Sequence, residues 1–238
     1  NRLNLNLLEP YLKTVFSEFN GIATGNIRLY GAKDKIYIVG PANISKGSAV
    51  VAFTKCKYLF DQQKINFQKN LIEINSLLLK DTLGNSGIVS GKIHHHFFKD
   101  FDFENVRMET SKMLLLNTTK KDNNQFYGTV IGNALVTLEG PLTDMVMNIS
   151  GQPSVFDSSH IYLPTTDTKE SNNIDYIDFI KFGSEMDINK KGSQTSNLTV
   201  NLNLVANPAC KIDVILDEET GDIIKGEGNG RLNIRVGT

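Results

Sequence analysis

The sequence predicts an all-β protein, and three observations support that prediction. Apolar residues alternate with polar residues along most of the chain, as at 145–149 and 198–204, which is typical of strands with one buried face. The apolar positions favour β-branched and aromatic residues, and glycine, asparagine and aspartate separate the segments. With 40% hydrophobic residues among 238, the chain is not disordered, and we expect one domain over residues 1–238.

The first element is the exception to this alternation. Its apolar residues have a helical spacing, at Leu8, Leu12, Val15, Phe16 and Phe19. Pro10 suits a first helical turn and Asn20-Gly21 suits a helix end, so the pattern predicts an amphipathic helix over residues 9–20. A helix of about three turns is too short to be stable alone in water. We therefore expect its apolar face to cover an edge or an end of the sheet.

Strands follow from there to the end of the chain. The alternating segments lie at residues 27–30, 36–38, 51–53, 65–67, 72–74, 101–103, 106–108, 134–138, 145–149, 198–204, 212–216 and 232–236. Spaced glycines stand before or within several of them, at Gly21/Gly25, Gly87/Gly91, Gly128/Gly132 and Gly226/Gly228/Gly230. Because these glycines lead into strands and not helices, they predict bulges and bends rather than a phosphate-binding loop.

Charge and composition exclude several classes of protein. Lysine and arginine total 25 and aspartate and glutamate 26, a balance that argues against a nucleic-acid-binding protein. No apolar run approaches the roughly 18 residues that span a bilayer, and the first twelve residues lack the pattern of a signal peptide. We therefore expect a mature protein or a fragment. The two cysteines, Cys56 and Cys210, form one bridge or none.

Residues with catalytic or metal-binding chemistry are sparse. His94 and His96 share one face of a strand, but no Cys or His pair with ligand spacing accompanies them, so a solvated strand face is the stronger prediction. The acidic run at 217–222 predicts a hairpin turn, and Cys56 a half-buried strand thiol. Neither a G-x-S-x-G elbow nor an HExxH motif is present. We predict no enzyme, no catalytic residue, no metal and no cofactor.

The strands must bury their apolar faces, and three arrangements do so: a sandwich, a closed barrel, or a folded sheet whose two walls face each other. A sandwich core would be filled by side chains. A groove left partly open would leave an apolar strip for acyl chains or for another β element. Alternation alone leaves the choice among the three open.

Several phrases of the sequence resemble the C-terminal domain of TamB, within the AsmA-like group. Their order and spacing carry the resemblance, which covers nearly the whole chain. They are Phe19-Asn-Gly-Ile-Ala-Thr-Gly25, Leu79-Lys-Asp-Thr-Leu-Gly-Asn85, Leu116-Asn-Thr-Thr119, Asp122-Asn123, Phe126-Tyr-Gly128, Glu139-Gly-Pro141, Asn207-Pro-Ala209 and the segment 217–232.

The resemblance implies a fold and a cellular setting. Such proteins are very long, are anchored in the inner membrane of diderm bacteria by an N-terminal helix, and cross the periplasm as a β-sheet groove that is U-shaped in section (a β-taco). Their C-terminal region approaches a BamA-like partner in the outer membrane. The resemblance thus implies a fragment of a much longer chain, in contact with the rest of that chain. It implies no catalytic residue.

Two functions are compatible with the resemblance. The first is a groove that shields phospholipid acyl chains between the two membranes and supports outer-membrane biogenesis; each buried methylene contributes about 0.8 kcal/mol, so no specific head-group pocket is needed. The alternative is a chaperone or interaction module for outer-membrane protein assembly or secretion, with a packed interior and exposed edges for strand augmentation. An enzyme, or a sandwich that binds glycans, is a weaker candidate.

The strand alternation predicts which side chains line such a groove. The predicted lining consists of Ile36, Ile38, Phe53, Phe67, Ile74, Met108, Val136, Leu138, Met147, Val200, Leu202, Val214 and Ile234.

Overall fold

A computed structural model describes residues 2–13, 15–32, 35–123, 126–164, 197–217 and 220–236. Nearly all of these residues lie in β-strands, which confirms the predicted fold class. The strands form one 16-stranded sheet, most of it antiparallel.

The elements have the following bounds. The first half has strand β1 (Arg2–Asn4), a 3₁₀ turn (Leu5–Leu8), helix α1 (Glu9–Leu12), β2 (Phe16–Gly25), β3 (Arg28–Ala32), β4 (Lys35–Val51), β5 (Lys57–Phe60), β6 (Gln63–Gln68), β7 (Leu71–Asp81) and β8 (Ser86–His96). The second half has β9 (Lys99–Thr118), β10 (Tyr127–Pro141), β11 (Asp144–Pro153), β12 (Ser159–Pro164), β13 (Asn197–Ala206), β14 (Cys210–Asp217), β15 (Asp222–Glu227) and β16 (Gly230–Val236).

In the last part of the sheet, each long bent strand consists of two halves that follow each other in the chain. The pairs of halves are β11 and β12, β13 and β14, and β15 and β16. β10 pairs with β12 near its start and with β11 along the rest of its length. β13 pairs with β11, and β14 with β12, in parallel, while β16 and β15 pair antiparallel with β13 and β14. The order from β9 is therefore β10, β11/β12, β13/β14 and β16/β15. This places the β15 and β16 segments together at one edge of the sheet.

The helix predicted over residues 9–20 is wrong. Only Glu9–Leu12 is α-helical, and Phe16–Gly25 is strand β2. The register of β2 against β4 shifts between Phe16 and Glu18, where a β-bulge inserts one residue. Phe16 and Phe19 are three residues apart in the sequence, but the bulge brings their rings next to each other, with centroids separated by 5.4 Å. The bulge thus gives Phe16 and Phe19 in a strand the spacing that is typical of a helix.

The spaced glycines lie largely where bulges were predicted. The register of the sheet shifts at Gly21, at Gly91 and beside Gly132. At Gly128, φ is +139°, and an added Cβ would lie 2.0 Å from the carbonyl oxygen of His160. Only glycine allows β10 and β12 to approach this closely.

The buried side chains form one apolar cluster on the inner face of the sheet. Its largest fully buried members are Phe101, Phe126, Leu5, Ile44, Met113 and Met145. Within the described residues, no helix is long and apolar enough to cross a membrane.

Candidate functional site

The inner face of the folded sheet lines an apolar chamber of about 250 Å³ that is partly open to solvent. Side chains from strands far apart in the sheet order line it, from Phe16 of β2 to Met147 of β11, so the sheet must fold back on itself. Among the described lining residues, only Thr54 and Tyr58 carry a polar group, and none carries a charge. An uncharged lining offers no counter-ion, so the chamber suits a hydrocarbon and excludes an ion.

The structure places the predicted lining residues in four different environments. Those that line the chamber are Phe67, Ile74, Met108, Val136, Leu138 and Met147. Phe53 and Leu202 line a second, smaller void, and Ile38 and Val200 are buried in the core outside both spaces. Val214 is half-buried on β14, away from both. The side chains of Ile36 and Ile234 lie outside the described part of the structure.

The N-terminal segment supplies a wall of the chamber that the sequence did not assign to it. Leu5, Leu8 and Leu12, from the 3₁₀ turn and α1, line the chamber together with Val15. The segment is held by hydrogen bonds from the amide of Val15 to the carbonyl of Leu12 and from the amide of Ala52 to the carbonyl of Val15, both 2.9 Å. The spacing of Leu8, Leu12 and Val15 is the signal for this wall in the sequence, but together with Phe16 and Phe19 it predicts one continuous helix.

The β4–β5 turn, β5 and the end of β7 contact the last part of β9 along a line of hydrogen bonds, which we call the seam. Its residues are Thr54, Tyr58, Asp81, Leu114 and Asn117. β9 pairs with β8 only as far as Thr110, so beyond that residue the edge of β9 opposite β10 needs other partners. The Tyr58 hydroxyl donates to the Leu114 carbonyl (2.9 Å), and the Leu114 amide donates to Asp81 Oδ2 (2.7 Å). The Asn117 amide donates to the Thr54 carbonyl (2.9 Å). The seam therefore replaces a missing strand and draws the β4–β5 turn across to β9.

Burial and hydrogen bonding together set the pKa values of the titratable groups in and next to the seam. It raises the pKa of the Cys56 thiol to about 11 and holds the pKa of Tyr58 well above its usual value. At Asp81 burial alone would raise the pKa, but hydrogen bonds from Asn85, Leu114 and Leu83 outweigh it and lower the pKa. Thus neither the thiol nor the phenol is activated at neutral pH. Cys56 and Cys210 are both buried and unbridged.

The second void has a volume of only about 30 Å³ and is lined mainly by aromatic and aliphatic side chains. Thr54, Leu115 and Ile149 line both the chamber and this void, so they form the partition between them. Behind the partition, the rings of Phe53 and Phe126 pack edge to face with centroids 5.7 Å apart. The interior is thus open on one side of the partition and packed on the other.

The histidine run behaves as the strand pattern predicts at two of its three positions. His96 is exposed, and His94 is half-exposed with its Nε2 2.5 Å from Glu104. His95 was missed: it points inward, is 3% exposed and stacks on Phe98 with ring centroids 4.3 Å apart. Burial lowers the pKa of His95 to about 4. In the described part of the chain, no group of three or more His, Cys, Asp or Glu side chains is arranged to hold a metal ion.

Comparison with known families decides where the chain belongs. The family model of the TamB C-terminal domain matches residues 75–237, more than half of the chain. The chain belongs to the TamB C-terminal domain family. Separate comparisons with curated proteins and with solved structures found no match. TamB membership supports a role in outer-membrane assembly and a location in the cell envelope, and the family is a transport and assembly module rather than a known class of enzyme.

The match begins within β7, whereas the chamber also uses earlier strands. The elements before β7 belong to the same continuous sheet as the matched TamB strands, and they contribute Phe16, Phe19 and Phe60 to the chamber. The chamber therefore combines matched and unmatched parts of the chain.

Proposed function

We propose that the chamber shields acyl chains of phospholipids in transit between the inner and outer membranes. The observation that carries this proposal is a partly open space of about 250 Å³ whose described lining has no charged side chain. An apolar cavity of about 150 Å³ stays dry and binds benzene. The larger chamber can therefore take a segment of one hydrocarbon chain.

The lining also limits which part of a lipid enters. Each buried methylene contributes about 0.8 kcal/mol, whereas an unpaired phosphate inside the chamber would lose its hydration without gaining a partner. The head group therefore stays in water. In this proposal the chain is part of a longer protein anchored in the inner membrane and lies in the periplasm.

Photo-crosslinking tests the proposal. A photoreactive residue at Leu138, which is 6% exposed and lines the chamber, is expected to capture phospholipid in cells. Its neighbour Glu139 is exposed and provides a matched control on the same strand. Arg28 is an exposed second control on β3. Equal labelling at all three positions, or lipid-free protein in native mass spectrometry, would refute the proposal.

The alternative is strand augmentation by a BamA-like outer-membrane partner. It is favoured by the edge formed by β15 and β16, where every described side chain is exposed, including Ile223 and Ile224. An edge strand presents amide and carbonyl groups that a partner strand can pair with.

Crosslinkers along the edge test this alternative. The exposed residues Arg231, Asn233 and Arg235 alternate along β16, and strand augmentation predicts that all three capture one partner protein at successive positions of a single strand. A crosslinker at Arg28 on β3 provides the control. If no position on β16 captures such a partner, or Arg28 captures it equally well, the alternative fails.

A further inference from the structure

The chamber ends at a floor made by Thr54, Leu115 and Ile149. These three side chains line the chamber on one side and the void of about 30 Å³ on the other. That void is about the volume that one water molecule occupies in the liquid. Phe126, which is 1% exposed, and Phe53 pack around this void behind the floor. A hydrocarbon chain that enters the chamber therefore meets packed side chains there.

The floor is held in place by backbone hydrogen bonds. The Thr54 carbonyl accepts from the Asn117 amide at 2.9 Å, and the Lys55 amide donates to the Val51 carbonyl at 2.9 Å. Lys55 Nζ also lies 3.9 Å from Asp122 Oδ1, on the far side of the seam. Moving the turn aside would break these bonds and leave the carbonyl of the buried Thr54 without a partner, which is unfavourable. These bonds hold the Thr54 side of the floor in place.

We propose that this floor sets the length of hydrocarbon that the chamber accepts, with Leu115 and Ile149 as the specificity-determining residues. The inference rests on the proposed function, because it assumes that the chamber binds an acyl chain. A chain that fits above the floor buries every methylene, and a longer chain leaves its excess outside. Affinity therefore rises with length up to a limit and then stays constant.

A series of saturated fatty acids from octanoate to stearate tests the inference, with binding measured by titration calorimetry on the whole chain. In the wild type we expect affinity to rise about fourfold per methylene and then level off. Leu115→Ala joins the chamber to the second void, so the levelling point moves to longer acids. Leu116→Ala is the matched control, because Leu116 lines only the void behind the floor and its loss leaves the levelling point in place.

The possible results separate this inference from the proposed function. If the wild type binds none of the acids, the proposed function itself fails. If the wild type binds them but Leu115→Ala and wild type level off at the same length, only the floor is refuted. If Leu115→Ala does not fold by circular dichroism, the milder Ile149→Val is expected to move the levelling point by a smaller step, and an unmoved point then refutes the inference.

Discussion

Replacing Asp81 is expected to destabilise the fold more than any surface substitution, because its carboxylate ties the β7–β8 turn to β9. Asp81 is 2% exposed. Oδ1 accepts from the amides of Leu83 (2.9 Å) and Asn85 (2.8 Å), and Oδ2 accepts from Asn85 Nδ2 (3.0 Å) and from the Leu114 amide (2.7 Å). The turn amides are near water, whereas Leu114 is buried.

The magnitude follows from these bonds. In Asp81→Ala the buried Leu114 amide loses its partner, which costs about 1–3 kcal/mol, and the turn loses charge-assisted bonds that water replaces only in part. We expect a loss of about 3–4 kcal/mol in the free energy of unfolding, or a decrease in Tm of about 10 °C for a chain of this size. Urea unfolding followed by circular dichroism measures it, with Asp102→Ala on the exposed face of β9 as the control.

An isosteric variant tests the cause. In Asp81→Asn, an NH₂ group replaces one of the two carboxylate oxygens, each of which now accepts from a backbone N–H. Two donors then face each other and one hydrogen bond is lost. We therefore expect about 2 kcal/mol of destabilisation although the shape of the side chain is unchanged. The folded-state pKa of Asp81 is lowered, so its contribution is fully present above the usual carboxyl value near 3.8 and is lost as pH falls through the lower folded value. A stable Asp81→Asn variant, or one with the acid sensitivity of the wild type, would refute this reasoning.

Three further outcomes are expected. The folded-state pKa of His95 is about 4, compared with 6.5 for an ordinary histidine, so protonation favours the unfolded state. The free energy of unfolding should therefore fall by roughly 2–3 kcal/mol as the pH decreases from 6.5 to 4. Urea titrations at several pH values should show a smaller decrease in His95→Gln and an unchanged decrease in His96→Gln. Gly128→Ala should lower the unfolding free energy by about 3 kcal/mol or more, since its Cβ would meet the His160 carbonyl, whereas Gly226→Ala should change it little. Both thiols should be unreactive to a disulfide reagent in the native protein and fully reactive in urea; fast native labelling would contradict their burial.

The fold class was predictable because alternation is a local property of the chain. In β11, Met145, Met147 and Ile149 are all buried, and the residues between them are exposed or half-buried, as their pattern indicates. The same rule failed in β2, where a bulge changed the spacing of Phe16 and Phe19 from two residues to three. A bulge leaves little trace in composition, so period alone could not separate this strand from a helix.

The boundary of the chamber was not predictable, because it depends on contacts between residues far apart in sequence. The Tyr58 hydroxyl and the Leu114 carbonyl are 56 residues apart, and the Asp81 carboxylate and the Leu114 amide are 33 apart. Alternation places both Phe53 and Phe67 on the inner side of the sheet. It does not show that Phe67 borders open space while Phe53 packs against the ring of Phe126. The seam decides this, because it fixes how closely the β4–β5 turn approaches β9. The sequence leaves an open apolar groove and a packed core as alternatives, whereas the structure has open apolar space on one side of Leu115 and closely packed side chains on the other.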